Sequence, residues 1–569
     1  MNSRVLPWVL LLLAALVAHG LSVRADFYMD DFLHILLRDS IISDGVDAEL
    51  SWKGRLLTFA IWRALYLNFG ASAMAFHAVN LLLHLLVTLL AYGVFQGFTS
   101  MRATPKEVRE RAPSLAFWGA LIFAVHPLCS EPINYASQTT ILLASLFAML
   151  VPLGILTWQR THSSLPLLGA GVCVLLAGLA KEPGFWHAAI NGFFVLMLGM
   201  RQEWRWKKLR AIPRRTRWFG IGVLGFGGVV FVASWLGTVL KLTRHPEQTL
   251  HHMLTQARVL GEYVRRMVIP AQQSSDHHFQ WTLALTDTEA VLKLVIIVLA
   301  ALVILYAAVI KRRWLAALLA LCSFHLLIRF GYQVDEPMVE YRTYPSMPWV
   351  GLALVYGLRQ VTDFRWPRLQ WVPRLVLPVL VICFATLSIN RAQLWHNEQR
   401  LVMNVLHQYP LNLRALGIYF KNLMLQGHYE PVLMGADLPD SISEQIKTLN
   451  RNSDRHYSEH RMHHDYASCQ YYIIRAHLLA DDPETALRKT NKLLVDLLLK
   501  RRYGSADAFF TMYLSRVVCH HLMGDEAAVQ RTYQLAEAVL PNAQELPEML
   551  KAELKILSMF RPELADASP

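Results

Sequence analysis

The sequence predicts an all-α protein in two parts, a polytopic membrane domain over residues 1–390 and a helical domain over residues 391–569. Composition is the first reason. Of 569 residues, 54% are hydrophobic and 17% are charged, and the mean hydropathy is +0.30, whereas soluble domains are about 25% charged. The second reason is that apolar runs of the roughly 20 residues needed to cross a bilayer recur up to residue 390 and then stop.

Eleven membrane spans are predicted in the first part. The first run has a second interpretation, because Arg4, an apolar stretch and then "SVRA" also fit a secretory signal, although the run is longer than the usual length of about 7–15 residues. Both interpretations place the residues that follow it beyond the membrane. The predicted spans lie near residues 5–23, 72–96, 114–129, 138–158, 164–181, 185–200, 218–240, 289–310, 314–331, 345–359 and 373–390.

Basic residues are concentrated in alternate loops between these spans. They occur at 97–113, in "RQEWRWKKLRAIPRRTR" at 201–217, in "KRR" at 311–313 and at 359–374. Under the positive-inside rule these loops are cytoplasmic, with the N-terminus on the same side. This distribution accounts for the net charge of +13 without a nucleic-acid-binding stripe, so no nucleic-acid partner is expected.

Ionisable residues beside the spans gather on the opposite, extracytoplasmic face. Charged groups at membrane depth are costly and usually face a functional cavity. One charged turn would be weak evidence, but several turns on one side predict a shared site. The residues concerned are Asp30, Asp31, His126, Glu131, Lys181, Glu182, His245, Asp276, His277, Glu340 and Arg342.

Two adjacent carboxylates, Asp30 and Asp31, lie in "ADFYMDDFLHILLRD" just after the first span. Neighbouring side chains of a regular element point in different directions, which predicts different roles. One would face the cavity as a general base or a metal ligand, and the other would cap a helix. The simpler alternative is that this stretch only caps an amphipathic surface helix.

Three later motifs supply the other candidate side chains. An arginine fork binds two phosphate oxygens at once, and a lysine can pair with a lipid headgroup or phosphate. The simpler alternatives are helix capping, a snorkelling lysine and an interfacial aromatic belt. The candidates are His126 and Glu131 in "FAVHPLCSEPINYAS", Lys181 and Glu182 in "LAKEPGFWHAA", and Glu340, Arg342 and Tyr344 in "VEYRTYPSMPW".

Several other classes of chemistry lack a sequence signal. There is no Walker loop, no strand-borne GxGxxG and no GxSxG elbow. The 23 histidines show no metal-ligand spacing. Cys469 and Cys519 could pair, but the sequence does not establish a disulfide.

Residues 391–569 have a different pattern. Amphipathic helical segments are joined at "MLQGHYEPV", "LLADDPETA" and "LMGDEAAV". A small or acidic turn after an apolar helix, followed by Ala on the next helix, is typical of stacked helical hairpins. The spacing of the joints is irregular and longer than the 34 residues of a regular tetratricopeptide repeat, which predicts degenerate repeats.

The order of these motifs resembles a known family. The "DD" after the first span is followed by "FHAVNLLLHLL", "LIFAVHPLCSEPINYAS", "LAKEPG", "YVRRMVIPAQQSSDHHF", "VEYRTYPSMPWVGL" and "LWHNEQRLVMNVLHQYPLNLRA". In that order they resemble the transmembrane and tetratricopeptide-repeat O-mannosyltransferases and their bacterial relatives. Those enzymes belong to the GT-C class of polyprenyl-phosphate-sugar glycosyltransferases. The resemblance covers nearly the whole chain and weakens in the repeats.

The resemblance implies roles for the candidate residues. Asp30 and Asp31 match the acidic motif that holds the catalytic carboxylate, and the repeats are implied to hold the acceptor. The remaining residues would lie at the donor phosphate or cavity: His126 and Glu131, Lys181 and Glu182, and Glu340, Arg342 and Tyr344. GT-C enzymes with and without a divalent cation exist, so the resemblance leaves open whether Mg²⁺ or Mn²⁺ takes part.

Two features depart from the family pattern. The repeats are few and degenerate, which favours a narrow range of acceptors. No N-x-[ST] sequon occurs, which favours a bacterial periplasm over an endoplasmic reticulum lumen. The expected location is therefore a bacterial inner membrane, with the C-terminal domain in the periplasm.

The leading hypothesis is an integral-membrane glycosyltransferase with a GT-C-like fold and a degenerate tetratricopeptide-like domain. It would move a sugar from a polyprenyl-phosphate donor to a hydroxyl of a protein or glycan on the extracytoplasmic face. One alternative is an inactive scaffold that gathers partners through its repeats. A transporter is the other, although it would place charges near the bilayer midplane in a repeated pattern that the spans lack.

Overall fold

The structure is a computed structural model. It describes residues 5–36, 41, 55–199, 246–279, 281–282, 286–331, 336–365, 371–409, 412–428, 432, 469–499, 506–537, 540 and 543–558. All regular elements within these ranges are helical, so the all-α prediction is confirmed for the described part of the chain. The chain divides into two compact units. The first holds residues 1–275 and 279–400, and the second holds 276–278 and 401–569.

The first unit is built from apolar helices around one large hydrophobic core. Proline at the first or second position begins several of them, where its missing N–H costs no helical hydrogen bond. The helices are α1 (Leu6–His19), α2 (Leu56–Phe69), α3 (Ala73–Thr99), α4 (Ala112–Val125), α5 (Ser130–Asn134), α6 (Thr139–Thr161), α7 (Leu165–Ala180), α8 (Gly184–Gly199), α9 (Pro246–Val268), α10 (Thr288–Leu305), α11 (Trp314–Leu327), α12 (Met347–Arg359) and α13 (Val372–Leu394).

Six helices in the described ranges are long and apolar enough to cross a membrane. They are Leu6–Arg24, Ala73–Thr99, Ala136–Thr161, Thr288–Ile310, Trp314–Gly331 and Val372–Leu394. These helices support a multi-pass membrane protein, and they correspond to six of the eleven predicted spans.

The other predicted spans have different outcomes. The span near 114–129 is a bent pair, Ala112–Val125 and Pro127–Asn134, with a 53° break at the "HP" turn, since Pro127 cannot continue the helix. α7, α8 and α12 are shorter apolar helices, and 218–240 lies outside the described residues. The count of eleven and the orientation stay predictions.

α4 and α12 cross at two glycines, Gly119 and Gly351. A Cβ added at Gly119 would lie 2.9 Å from the Leu352 Cα, and one added at Gly351 would collide with the Gly119 carbonyl oxygen. The helices therefore approach each other backbone to backbone, as small residues allow in membrane helices. Because α12 begins at Met347, this crossing fixes the segment before it, which carries Arg342.

Gly351→Ala is expected to lower the thermal stability of the purified protein in detergent. The new methyl group would overpack the crossing, at a cost of about 1–3 kcal/mol. Gly357→Ala is the matched control, because it lies on the same helix and its added Cβ meets no atom within 4 Å. Both changes gain the same helix propensity, so the difference between their unfolding temperatures isolates the steric cost. Equal temperatures would contradict the close crossing.

The second unit is helical as well and has its own hydrophobic core. Cys469 and Cys519 both lie buried in this core and are not joined by a disulfide. A helix also covers residues 469–479. The labelled helices are α14 (Glu398–Gln408, whose first three residues belong to the first unit), α15 (Leu413–Leu425), α16 (Pro483–Leu499), α17 (Ala506–Leu522), α18 (Glu526–Glu537) and α19 (Leu546–Ser558).

The predicted joints "LLADDPETA" and "LMGDEAAV" are turns between helices. Asp481 (φ 60°) and Gly524 (φ 72°) adopt the left-handed conformation, and the N–H of the following residue bonds to a carbonyl five residues back, which is a Schellman motif. Asp482 and Asp525 then cap the next helix, accepting the N–H groups of Thr485 and Ala528. The first joint begins with the same motif, but the residues after 432 up to 468 lie outside the description. Assignment to tetratricopeptide repeats stays a prediction.

Candidate functional site

The acidic loop after α1 is fixed against the end of α13. The Asp26 N–H donates to the Trp395 carbonyl over 3.1 Å, and the Tyr28 ring packs edge-on against the Trp395 indole at 5.6 Å between centroids. His396 Nε2 lies 3.0 Å from the Leu21 carbonyl oxygen. The "LWHNEQ" motif therefore holds the loop that carries the two aspartates.

Asp31 is fully buried and acts as an acceptor for two backbone amides. Its Oδ2 accepts the Tyr28 N–H at 3.0 Å, and its Oδ1 accepts the Ser137 N–H at 2.6 Å. The carboxylate thus closes the turn from Tyr28 to Asp31 and ties it to the segment that begins α6. These contacts give Asp31 a capping role.

Asp30 presents the other carboxylate in a different way. Its N–H donates to the Tyr135 hydroxyl at 3.0 Å, and Met29 before it has a left-handed φ of 44°, which costs a non-glycine residue free energy. Within the described ranges no hydrogen bond to the Asp30 carboxylate is recorded, and the residue is partly exposed. The strained turn therefore leaves Asp30 available while Asp31 is used for anchoring.

The stability of the folded protein is expected to fall as the pH rises from about 4 to 7, through Asp31. Burial raises the pKa of this carboxyl to about 7, and Asp30 raises it further against the lowering effect of the Tyr28 and Ser137 hydrogen bonds. The folded state therefore binds a proton that the unfolded chain releases within this window. Thermal unfolding from pH 4 to 7.5 tests this, since Asp31→Asn should weaken the pH dependence. An unchanged dependence would refute it.

The segment from Tyr135 to Gln138 connects the acidic loop to Lys181. Tyr135 and Ser137 contact Asp30 and Asp31 as described, and Gln138 Oε1 accepts a hydrogen bond from the Lys181 Nζ at 3.1 Å. Lys181 is 6% exposed, and its Nζ lies 4.7 Å from the centre of the Tyr341 ring. The structure therefore brings the predicted "DD" and "KE" motifs to one site.

The surroundings of Lys181 are cationic. Burial lowers its pKa well below the ordinary range, and Arg55, Arg329 and Arg342 lower it further, while Glu182 opposes them. Glu182 is half-exposed and paired with Arg55 at 3.1 Å. A buried amine that faces several arginines, and to which no carboxylate of the described residues is bonded, favours an anionic ligand.

Arg342, on the segment before α12, is one of the charges that act on Lys181. Its Nη1 donates to the carbonyls of Glu336 at 2.6 Å and Pro337 at 3.2 Å. The buried Nε–H has no acceptor within the described residues. The neighbouring Tyr341 lies close to charges of both signs. Burial, Glu336 and Asp30 raise its pKa to about 12, and Arg342 and Arg329 act in the opposite direction.

Glu131 and Glu340, the first residue of this segment, hold it in place. Glu131 Oε2 accepts the Tyr341 N–H at 2.9 Å. Glu340 is fully buried, accepts the Ser274 N–H at 3.0 Å and pairs with Arg391, itself 4% exposed, at 3.3 Å. Their contacts are with the protein, so both carboxylates position the site instead of facing its ligand.

Three other predicted residues lie outside the immediate site. His126 is buried, caps the Leu128 N–H and lies 3.2 Å from the Met267 carbonyl oxygen. Tyr344 is fully buried, with its hydroxyl 2.9 Å from His84 Nδ1. Glu182 pairs outward with Arg55. None of the three has a free polar group facing Lys181 or Asp30, so a direct role at a donor phosphate finds no support in these contacts.

The remaining residues of the extracytoplasmic set do not join this site. Asp276 and His277 are grouped with the second unit, where Asp276 pairs with Arg414 at 3.4 Å and His277 lies 3.0 Å from the Tyr409 hydroxyl. His245 lies outside the described residues.

A divalent cation finds no ligand set in the part of the chain that the structure describes. No three His, Cys, Asp or Glu side chains converge there. Both oxygens of Asp31 accept backbone N–H groups, which leaves Asp30 as a single carboxylate. These residues do not fit a Mg²⁺ or Mn²⁺ site, and we derive no step through a metal.

Gln138, Arg329 and Arg391 belong to the site but were not predicted from the sequence. Gln138 is uncharged and therefore not among the ionisable candidates, although it directly follows the "HPLCSEPINYAS" motif. Arg329 and Arg391 lie near the ends of predicted spans, where a basic residue is usually an interfacial anchor. The positions of Arg329 and Arg391 in the sequence gave no further indication of a role in the site.

The second unit has a groove of its own. Its volume is about 550 Å³, and it lies between α18 and α19. Acidic and basic side chains both line it, among them Glu526, Glu537, His521 and Lys551, together with Tyr533.

The fold and the site define a multi-pass, all-helical membrane protein with a buried cationic cluster near a partly exposed carboxylate. The sequence is similar to Protein O-mannosyl-transferase TMTC4 of Homo sapiens, with 30% identity over 229 residues, 35% of this chain and 31% of the relative. Against TMTC4 of Mus musculus, identity is 28% over 194 residues, 32% of this chain and 26% of the relative.

The chain thus spans about a third of the length of the curated relatives that it matches. No family model and no solved structure matches it. The similarity supports a distant relationship to the TMTC-like proteins that the order of motifs indicated, and the bacterial GT-C assignment stays a prediction.

Proposed function

We propose that this protein is an integral-membrane glycosyltransferase that takes a sugar from a polyprenyl-phosphate donor on the extracytoplasmic face. The observation that carries the proposal is that an available carboxylate, Asp30, and the cationic side chains of Arg329 and Arg342 all act on Tyr341, whose ring lies against Lys181. A group transfer from a phosphate ester needs a base for the acceptor and positive charge for the leaving phosphate. The names of the TMTC4 relatives make mannose the first candidate for the sugar.

In the proposed step, the acceptor hydroxyl attacks the anomeric carbon of the sugar. The carboxylate of Asp30 takes the hydroxyl proton as the new carbon–oxygen bond forms. The bond between the anomeric carbon and the phosphate oxygen breaks, and its electron pair stays on the polyprenyl phosphate. Lys181 and Arg342 stabilise the charge that develops there.

Asp31 has a positioning role in this proposal. Its carboxylate closes the turn that carries Asp30 and ties it to Ser137, next to the Gln138 that holds Lys181. Glu131 accepts the Tyr341 N–H, and Glu340 anchors the start of the segment that carries Tyr341 and Arg342. The base and the cations are thus oriented by a common set of buried contacts.

The acceptor is proposed to be a hydroxyl of a protein or a glycan. The groove of the second unit, with charges of both signs beside Tyr533, is the candidate surface for acceptor recognition. The proposed location is a bacterial inner membrane with this unit in the periplasm, based on the basic loops and the missing sequon.

Mass spectrometry of glycoproteins and surface glycans in a deletion strain tests the proposal. We expect one species to lose a hexose in the deletion strain and to regain it with the wild-type gene. Arg342→Ala, checked for membrane expression, should not restore it. Unchanged glycans in the deletion strain would favour the scaffold or the transporter instead.

A further inference from the structure

We propose that the Lys181 amine is uncharged in the ligand-free protein and takes up one proton when a phosphate ester binds. Binding of the anion is thereby coupled to binding of a proton. This inference rests on the phosphate site proposed above and adds to it the protonation state of Lys181 before the ligand binds. It concerns Lys181 and not the arginines, because a guanidinium stays protonated at all working pH values.

The contacts of Lys181 are the first argument. The residue is 6% exposed, and its Nζ donates to the neutral Gln138 Oε1 and lies over the neutral Tyr341 ring. Neither partner supplies a negative charge. The nearest carboxylate in sequence, Glu182, is directed to Arg55 at 3.1 Å. A buried ammonium without a counter-ion is costly, and such groups lose their proton instead.

The charges that face Lys181 are the second argument. Arginines from three separate segments disfavour a further positive charge on Lys181, and the carboxylate of Glu182 opposes them. The groups are Arg55 before α2, Arg329 after α11, Arg342 before α12 and Glu182 beside it. His187 on α8 interacts with Lys181 as well. The lowered pKa of Lys181 agrees with this arrangement.

A bound anion would reverse the preference of Lys181 for its uncharged form. A phosphate oxygen beside the Nζ would supply the missing counter-charge and favour the ammonium form. Binding would then consume a proton, and affinity would fall as the pH rises, by about tenfold per pH unit where the free amine is neutral. A donor phosphodiester carries one negative charge, and the proton on Lys181 would help to stabilise the second charge that develops on the leaving phosphate.

Isothermal titration calorimetry on the purified full chain in detergent tests the inference. The probe is farnesyl methyl phosphate, a phosphodiester that does not itself titrate near neutral pH, and farnesol is its uncharged control. Titrations at pH 8 in buffers of different ionisation enthalpy report the number of protons exchanged. We expect a slope close to one proton taken up per bound ester in the wild type.

Lys181→Arg is the decisive variant, because it keeps a positive charge but cannot change its protonation. It should bind the ester with heats that do not depend on the buffer. Lys181→Gln should bind more weakly, also without proton uptake. Asp31→Asn should retain the uptake, which separates Lys181 from Asp31, whose pKa burial raises to about 7. Unfolding temperatures check that each variant is folded.

The failures of the two proposals can be told apart. Saturable binding with buffer-independent heats in the wild type would overturn the proton uptake and leave the phosphate site intact. An unchanged slope in Lys181→Arg would also overturn the assignment to Lys181. Absence of any binding above the farnesol control, in the wild type and in Lys181→Arg alike, would refute both this inference and the proposed function.

Discussion

Asp30→Asn is expected to reduce sugar transfer by about 10²–10⁴-fold, the usual contribution of a general base. The amide keeps the size of the side chain but cannot take the acceptor proton. Folding should be unaffected, because the hydrogen bond that links Asp30 to Tyr135 uses the main-chain N–H and not the carboxylate. Transfer to the acceptor identified by glycan profiling, measured with membranes of matched protein content, checks this result.

Asp26→Asn is the control for this change. Asp26 lies on the same loop, is exposed and contacts Trp395 only through its N–H, so its variant should transfer sugar at the wild-type rate. Asp31→Asn should lower both transfer and thermal stability, because Asp31 positions the turn. If Asp30→Asn kept full activity and Asp31→Asn abolished it without loss of stability, the two roles would have to be exchanged.

Glu340→Ala is expected to destabilise the first unit by about 3–5 kcal/mol, the cost of leaving one partner of a buried ion pair alone. Arg391, which is 4% exposed, would lose its carboxylate, and the Ser274 N–H would lose its acceptor. The unfolding temperature in detergent measures the effect. Glu110→Ala serves as control, because that residue is exposed in the loop at 97–113 and pairs with the exposed Lys106, where ion pairs contribute about 0–1 kcal/mol.

A double variant separates the charge from the packing. Glu340→Leu combined with Arg391→Met removes both charges and should be more stable than Glu340→Ala, since no unpaired ion remains. Its phosphate-ester binding should still be impaired, because Tyr341 and Arg342 follow Glu340 directly in the chain. A double variant no more stable than Glu340→Ala would show that packing, and not the buried charge, dominates at this place.

Two kinds of residue build the site: charged side chains at helix ends, and buried carboxylates that hold the backbone between them. Helix ends supply the reactive groups, as at Lys181 after α7 and Arg342 before α12. Buried carboxylates then fix the backbone between them, as Asp31, Glu131 and Glu340 do. Substitutions in these carboxylates should therefore affect stability and binding together, whereas substitutions at Lys181 should mainly affect binding.

The sequence by itself determined the helical class, the apolar segments and the short list of motifs from which the site is built. Hydrophobic runs and helix-turn signals are local, so they can be read without knowing what packs against them. The same local logic anticipated that Asp30 and Asp31 would differ in role, because adjacent side chains diverge. It also anticipated the turns at Asp481 and Gly524.

Tertiary structure decided which of these residues meet. Tyr344 and Arg342 are two positions apart in one motif, yet the first is packed against His84 in the core and the second joins Lys181. Gln138 and Arg329 entered the site, although neither carried a signal in the sequence. Partners in a helical membrane protein come from distant segments, and whether a polar group is used for anchoring or left available depends on the atoms that surround it after packing.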